Sequence, residues 1–91
     1  MEFGEETLFN NKIHIYVKQR TIRSYITTIK GIPQEIKLEK LLKLLKTKFN
    51  CNGNIKDGAI QIQGKYNMML VEYLDTLKIA SKEDIILHGV N

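Results

Sequence analysis

Apolar and polar residues alternate from Ile13 onward. Ile13, Ile15 and Val17 point one way and His14, Tyr16 and Lys18 the other, the pattern of a strand with one buried face. A second alternating run, Tyr25 to Lys30, sets Tyr25, Thr27 and Ile29 against Ile26 and Thr28. The segment QRTIRS joins them as a hairpin tip carrying Arg20 and Arg23. It holds neither Asn-Gly nor any glycine, so a loop longer or less regular than a two-residue turn is expected.

The period changes after Gly31-Ile32-Pro33. Leu38, Leu41, Leu42, Leu45 and Phe49 recur at helical spacing and form one stripe. Each contributes a gross stabilisation of roughly 1.5 to 3 kcal/mol when buried. Lys37, Lys40, Lys43 and Lys46 turn away from the stripe with Lys48 at its flank, and Glu39 is the one acid among them. Leu44 falls among the lysines, where a partner is expected to cover it. Lys37 stands near the helix start, where a cation opposes the dipole and no side-chain oxygen caps, which leaves that boundary open by a few residues.

Asn50 to Gly53 ends the helix with turn formers. Asp57-Gly58 then predicts a tight hairpin between residues 54–56 and 59–63, closed by Gly64. A second helix repeats Leu70, Tyr73, Leu74 and Leu77 on one face, with Asn67 as its expected N-cap and Tyr66 placed to pack on Val71; Met68 lies off that face. Ser81 and Asp84 cap a single turn before a last strand over residues 85–88. The order β β α β β α β predicts an α+β fold, two helices packed on one face of a mixed five-stranded sheet. Residues 1–11 show no periodicity and read as a short disordered acidic tail, leaving 12–91 as a single domain.

Charge changes the picture. The net charge is +4, yet residues 1–11 hold Glu2, Glu5 and Glu6 with no cation, while residues 12–65 hold most of the lysines and both arginines against Glu35, Glu39 and Asp57. A surface built only for solubility mixes its signs, and lysines three apart on a helix repel. A solvated lysine face is the plain reading of the first helix; its concentration of charge favours a polyanion, nucleic acid before lipid. Cys51 is the only cysteine, so no internal disulfide forms, and no apolar run is of membrane-spanning length. A cytoplasmic monomer that binds no membrane is expected.

Catalytic chemistry finds few candidates. His14 and His88 share no spacing, Cys51 lacks a C-x-x-C partner for zinc, and Gly53, Gly58 and Gly64 are spaced as turns rather than as a phosphate cradle. No cofactor is expected. Acylphosphatases share the size and a related layout, but their first loop bears glycine and this one does not. No strand carries the paired aromatics of an RNA-recognition motif. Binding remains as the default class.

Ile13-His14-Ile15, Gln19-Arg20, Arg23, Thr27-Thr28 with Gly31-Ile32, Lys48-Phe49 with Cys51-Asn52-Gly53, Gln61 to Gly64 and His88-Gly89 run in register over nearly the whole chain. In these the sequence resembles the eukaryotic translation initiation factor one family. The resemblance implies a non-enzymatic factor bound to small-subunit rRNA near the P site, in the vicinity of initiator tRNA and of other initiation factors. It implies a role in scanning and start-codon selection. The residues it assigns to RNA or ribosome binding are Arg20 and Arg23 of the hairpin tip, Lys37, Lys40, Lys43, Lys46 and Lys48 of the helix, and Lys65. Base readout is not expected of the helix lysines, which position phosphates.

Departures from the family pattern are local. The glycine usual in the hairpin tip is Ile22 and the following lysine is Ser24; the hairpin through Asp57-Gly58 is short, and the basic residues usual after it reduce to Lys65. Lys78 stands where the family ends its second helix with glycine. Related domains occur in larger proteins that recycle subunits or deliver tRNA, and a generic RNA-binding module is a further alternative. The lack of an additional domain favours the free-standing factor.

Overall fold

Inward-facing isoleucines organise the computed structural model, which describes residues 12–88. The chain runs β1 (Ile13–Thr21), β2 (Ser24–Lys30), α1 (Leu38–Phe49), β3 (Gly53–Lys56), β4 (Ala59–Gln63), α2 (Asn67–Thr76), one 3-10 turn (Lys82–Asp84) and β5 (Ile85–His88). The sheet order is β3-β4-β2-β1-β5. β1 and β5 are parallel and every other neighbouring pair is antiparallel. The α+β fold expected from the periodicities is the fold observed. The acidic tail expected over residues 1–11, and Gly89 at the other end, lie outside the described residues.

One core joins sheet and helices. Ile13 and Ile15 of β1, Ile29 of β2 and Ile60 and Ile62 of β4 are fully buried with Leu41 and Leu45 of α1 and Leu70 and Leu74 of α2. Leu38, Leu42 and Phe49 complete the predicted stripe as partly buried residues packed on that cluster. Because α1 and α2 share this cluster, both cover the same face of the sheet. Thr27 is the one polar side chain fully buried among the described residues, and its hydroxyl donates to the Gly64 carbonyl at 2.6 Å. A buried hydroxyl so paired avoids the desolvation cost of an unmet donor.

The first hairpin takes the less regular of the two expected forms rather than the longer. β1 and β2 extend to Thr21 and Ser24, leaving only Ile22 and Arg23 in the turn. Neither adopts a positive φ, so the primed turns are not used. A register shift between Gln19 and Thr21 takes up the mismatch in twist instead. The tip is then closed by side chains: the Thr21 and Ser24 hydroxyls are 2.7 Å apart, and Gln19 Nε2 donates to the Ile22 carbonyl at 3.2 Å. The second hairpin is as expected, with φ of 53° at Asp57 and 77° at Gly58.

Helix ends explain two further residues. α2 begins at Asn67 itself, one residue earlier than its expected role as N-cap, and Tyr66 in the capping position makes no side-chain cap bond. Asn67 Oδ1 accepts from the Met68 N–H. At its C-terminus Lys78 N–H bonds to the Asp75 carbonyl and Ile79 N–H to the Leu74 carbonyl, the paired bonds of a Schellman motif. Lys78 holds φ 62° to make them. Replacing it by glycine removes the left-handed strain, and Lys78→Gly is expected to raise stability by about 1 kcal/mol in denaturant unfolding.

Candidate nucleic-acid interface

α1 presents its charge because Leu38, Leu41, Leu42 and Leu45 are committed to the core. Lys37, Lys40, Lys43, Lys46 and Lys48 are all exposed, whereas Leu41 and Leu45 are buried. The two lysines of the last turn complement the helix dipole, and Asn50 ends the helix in a left-handed conformation at φ 52°. Lys48 leans over the Tyr73 ring of α2 with Nζ 5.3 Å from its centroid. Lys37 occupies the opposite end, about 16 Å away along the axis at 1.5 Å per residue.

Arg20, Arg23 and Lys65 come together. With Tyr25, Ile26, Gln63 and Gly64 they line a hollow of about 510 Å³ beside the first hairpin. Lys65 Nζ stands 5.4 Å above the Tyr25 ring. The floor is fixed by backbone: Gly64 N–H donates to the Tyr25 carbonyl at 2.8 Å. Gly64 adopts φ 125°, and a Cβ there would lie 2.6 Å from Tyr66 Cζ, so glycine is required.

One aromatic contact ties the segment after β4 to the C-terminal end of α1. Phe49 stacks on Tyr66 at 4.8 Å between centroids, next to Lys65 in the chain. Lys46 and Lys48 lie in the last turn of α1, the turn that ends at Phe49. Lys37 and Lys40 rim a separate hollow of about 370 Å³ lined by Leu44, Leu77 and Ile79. Leu44 is 45% exposed there, in keeping with its place among the lysines.

Beneath the aromatic contact lies Cys51. Burial pushes its thiol above the ordinary range, against the opposing effects of a side-chain hydrogen bond with Tyr66 and the nearby Lys46 charge. The thiol stays protonated at neutral pH and packs as a small apolar group. Among the described residues no three His, Cys, Asp or Glu side chains cluster as a metal site.

Sequence reasoning missed one constellation. His14 Nδ1 and His88 Nε2 are 2.8 Å apart, and the Tyr16 ring stacks on His88 at 4.4 Å with the planes 11° apart. The signal was the outward alternation of His14 and Tyr16; what it lacked was the parallel pairing of β1 with β5, which sets Tyr16 opposite His88.

Comparison with known proteins bears on the whole arrangement. The family model described as translation initiation factor SUI1 matches residues 9–80. The chain belongs to the SUI1 translation initiation factor family. It is 40% identical over 90 residues to eukaryotic translation initiation factor eIF-1 of Saccharomyces cerevisiae, covering 93% of this chain and 83% of the yeast protein. The protein translation factor SUI1 of Eremothecium gossypii is similar to the same extent. A SUI1 homolog of Acanthamoeba polyphaga mimivirus is 37% identical over 84 residues, 86% of this chain and 79% of the viral protein. This SUI1-family translation initiation factor has two helices on a five-stranded sheet, and its Schellman motif at Lys78 is built without glycine.

Proposed function

We propose that this SUI1-family protein binds the small ribosomal subunit near the P site, promotes scanning and enforces start-codon selection, acting without catalysis in the cytoplasm as a monomer. The observation that carries this reading is the joining of Arg20, Arg23 and Lys65 in one hollow at the first hairpin. That hollow and the exposed lysine face of α1 suit a folded RNA, whose phosphates are met by long cationic side chains in positions fixed by the core. Lys43, Lys46 and Lys48 anchor the factor, while the hairpin tip extends toward the decoding site and initiator tRNA. Lys37 and Lys40, beside the Leu44 hollow, serve contacts with other initiation factors as well as rRNA.

The hairpin's part is separable from folding, because its arginines are exposed and its closure rests on Gln19, Thr21 and Ser24. Arg20→Ala with Arg23→Ala is expected to relax start-codon discrimination several-fold in a reconstituted scanning assay while changing stability by about 0.5 kcal/mol or less. Unchanged discrimination by the folded variant would remove the hairpin from the site.

A further inference from the structure

The helix-free face of the sheet differs in chemistry from the basic surface described above. The sequences of β1 to β5 hold no Asp or Glu. Register places His88, Tyr16, Thr28, Gln61 and Asn54 in one row across all five strands. These side chains alternate with the buried residues and so face away from the helices. Ile26 and Ile86, which share that face, are absent from the core cluster although half-buried. The row therefore offers aromatic, amide and hydroxyl groups to solvent among the described residues.

Cations flank the row on both sides. Toward the hairpin, Lys18 pairs with Ile26 and Ile26 with Gln63, and these last two also line the hollow of Arg20, Arg23 and Lys65. Toward the other end, Lys30 and Lys56 line a hollow of about 420 Å³ with Thr28 and Gln61; Asp57, in the β3–β4 turn, is the acid at its rim. The strand order sets Lys30 and His88 on opposite sides of Tyr16. His88 stacks on the ring, and Lys30 Nζ stands 5.3 Å from its centroid.

We propose that this face binds single-stranded RNA, with a base stacked on Tyr16 in the place now taken by the Lys30 ammonium. Lys30 then moves to a phosphate, as do Lys18 and Lys56, while Asn54, Gln61 and Thr28 meet base edges and 2′-hydroxyls. A row of stacking and hydrogen-bonding groups between two cationic borders is what an unpaired strand requires and a duplex does not use, since duplex bases are already stacked. The row crosses four inter-strand spacings of about 4.8 Å, roughly 19 Å in all, enough for a few nucleotides. The choice of RNA over DNA rests on the translational setting of the family.

The test is titration of the ¹⁵N-labelled full chain with octauridylate, with an eight-base-pair RNA duplex as the comparison. Amide shifts are expected at Asn54, Gln61, Thr28, Tyr16 and His88, and the duplex is expected to leave this row unmoved. Tyr16→Ala should weaken octauridylate binding roughly tenfold, the size of one stacking contact, while Tyr16→Phe should retain it. Lys18→Glu with Lys56→Glu, both exposed, gives a second variant that does not touch the aromatic stack and should weaken binding as well. Lys43→Glu with Lys46→Glu should keep the shifts on the sheet whatever it does to subunit binding, which separates this inference from the reading above. A linear octamer preferred over the same bases in a hairpin loop would point to a messenger-like strand, the reverse to a ribosomal loop. Shifts confined to α1, or Tyr16→Ala and the double charge reversal binding like the parent, would overturn the proposal.

Discussion

Reversing Lys43 and Lys46 together to glutamate is expected to lower affinity for the small ribosomal subunit on the order of 100-fold at low salt. Each lysine lost removes one phosphate contact and its share of counterion release, and each new carboxylate repels a neighbouring phosphate. The salt dependence should become shallower by about two in log–log slope. Both side chains are exposed on the face opposite Leu41 and Leu45, so the fold is expected to survive. Fluorescence anisotropy of the labelled protein on purified subunits measures the first effect and circular dichroism checks the second. A folded variant that binds like the parent would remove the centre of α1 from the interface.

One position along the same helix, the expected result is the opposite. Leu45 is fully buried between sheet and helices, and Leu45→Ala is expected to cost about 2 to 5 kcal/mol through lost burial and the cavity it leaves. Against the 5 to 15 kcal/mol typical of a domain, that loss unfolds a sizeable fraction of the protein on warming. Leu44→Ala, at a side chain 45% exposed, should change stability by about 0.5 kcal/mol or less. Denaturant unfolding of the two variants side by side reads the difference. Equal costs at Leu44 and Leu45 would mean that the buried stripe has been assigned to the wrong face.

Periodicity made most of this architecture readable. The leucine stripe of α1 and the alternation of β1 each constrain a whole face, because a helix or strand has one direction in which to bury apolar groups. Asp57-Gly58 was equally legible, since positive φ at both central residues is a local demand that these residues meet. The form of the first hairpin was only half legible, for the converse reason. Its closure rests on a bulge near Gln19 and on hydroxyls of Thr21 and Ser24, whose meeting no local composition rule announces.

The candidate site was legible as a set of residues and illegible as a shape. Lys65 looked isolated in sequence; the bonds of Gly64 to Tyr25 and Thr27 carry it to the hairpin arginines. Lys37 and Lys40 looked continuous with Lys46 and Lys48, yet helix length separates them into two neighbourhoods, one polar and one beside the apolar Leu44 hollow. The pairing of His14 with His88 spans nearly the whole chain and depends on a parallel edge strand. Alternation assigns each residue to a face, but strand order is a property of the packed sheet.

The measurement that bears most directly on the central claim is equilibrium binding of the labelled protein to purified eukaryotic small ribosomal subunits across a salt series. Saturable binding is predicted, with log affinity falling against log salt at a slope of about −4, as expected for a surface of roughly five phosphate contacts. No saturable binding by the folded protein, or affinity indifferent to salt, would contradict the assignment of the lysine and arginine surface to ribosomal RNA.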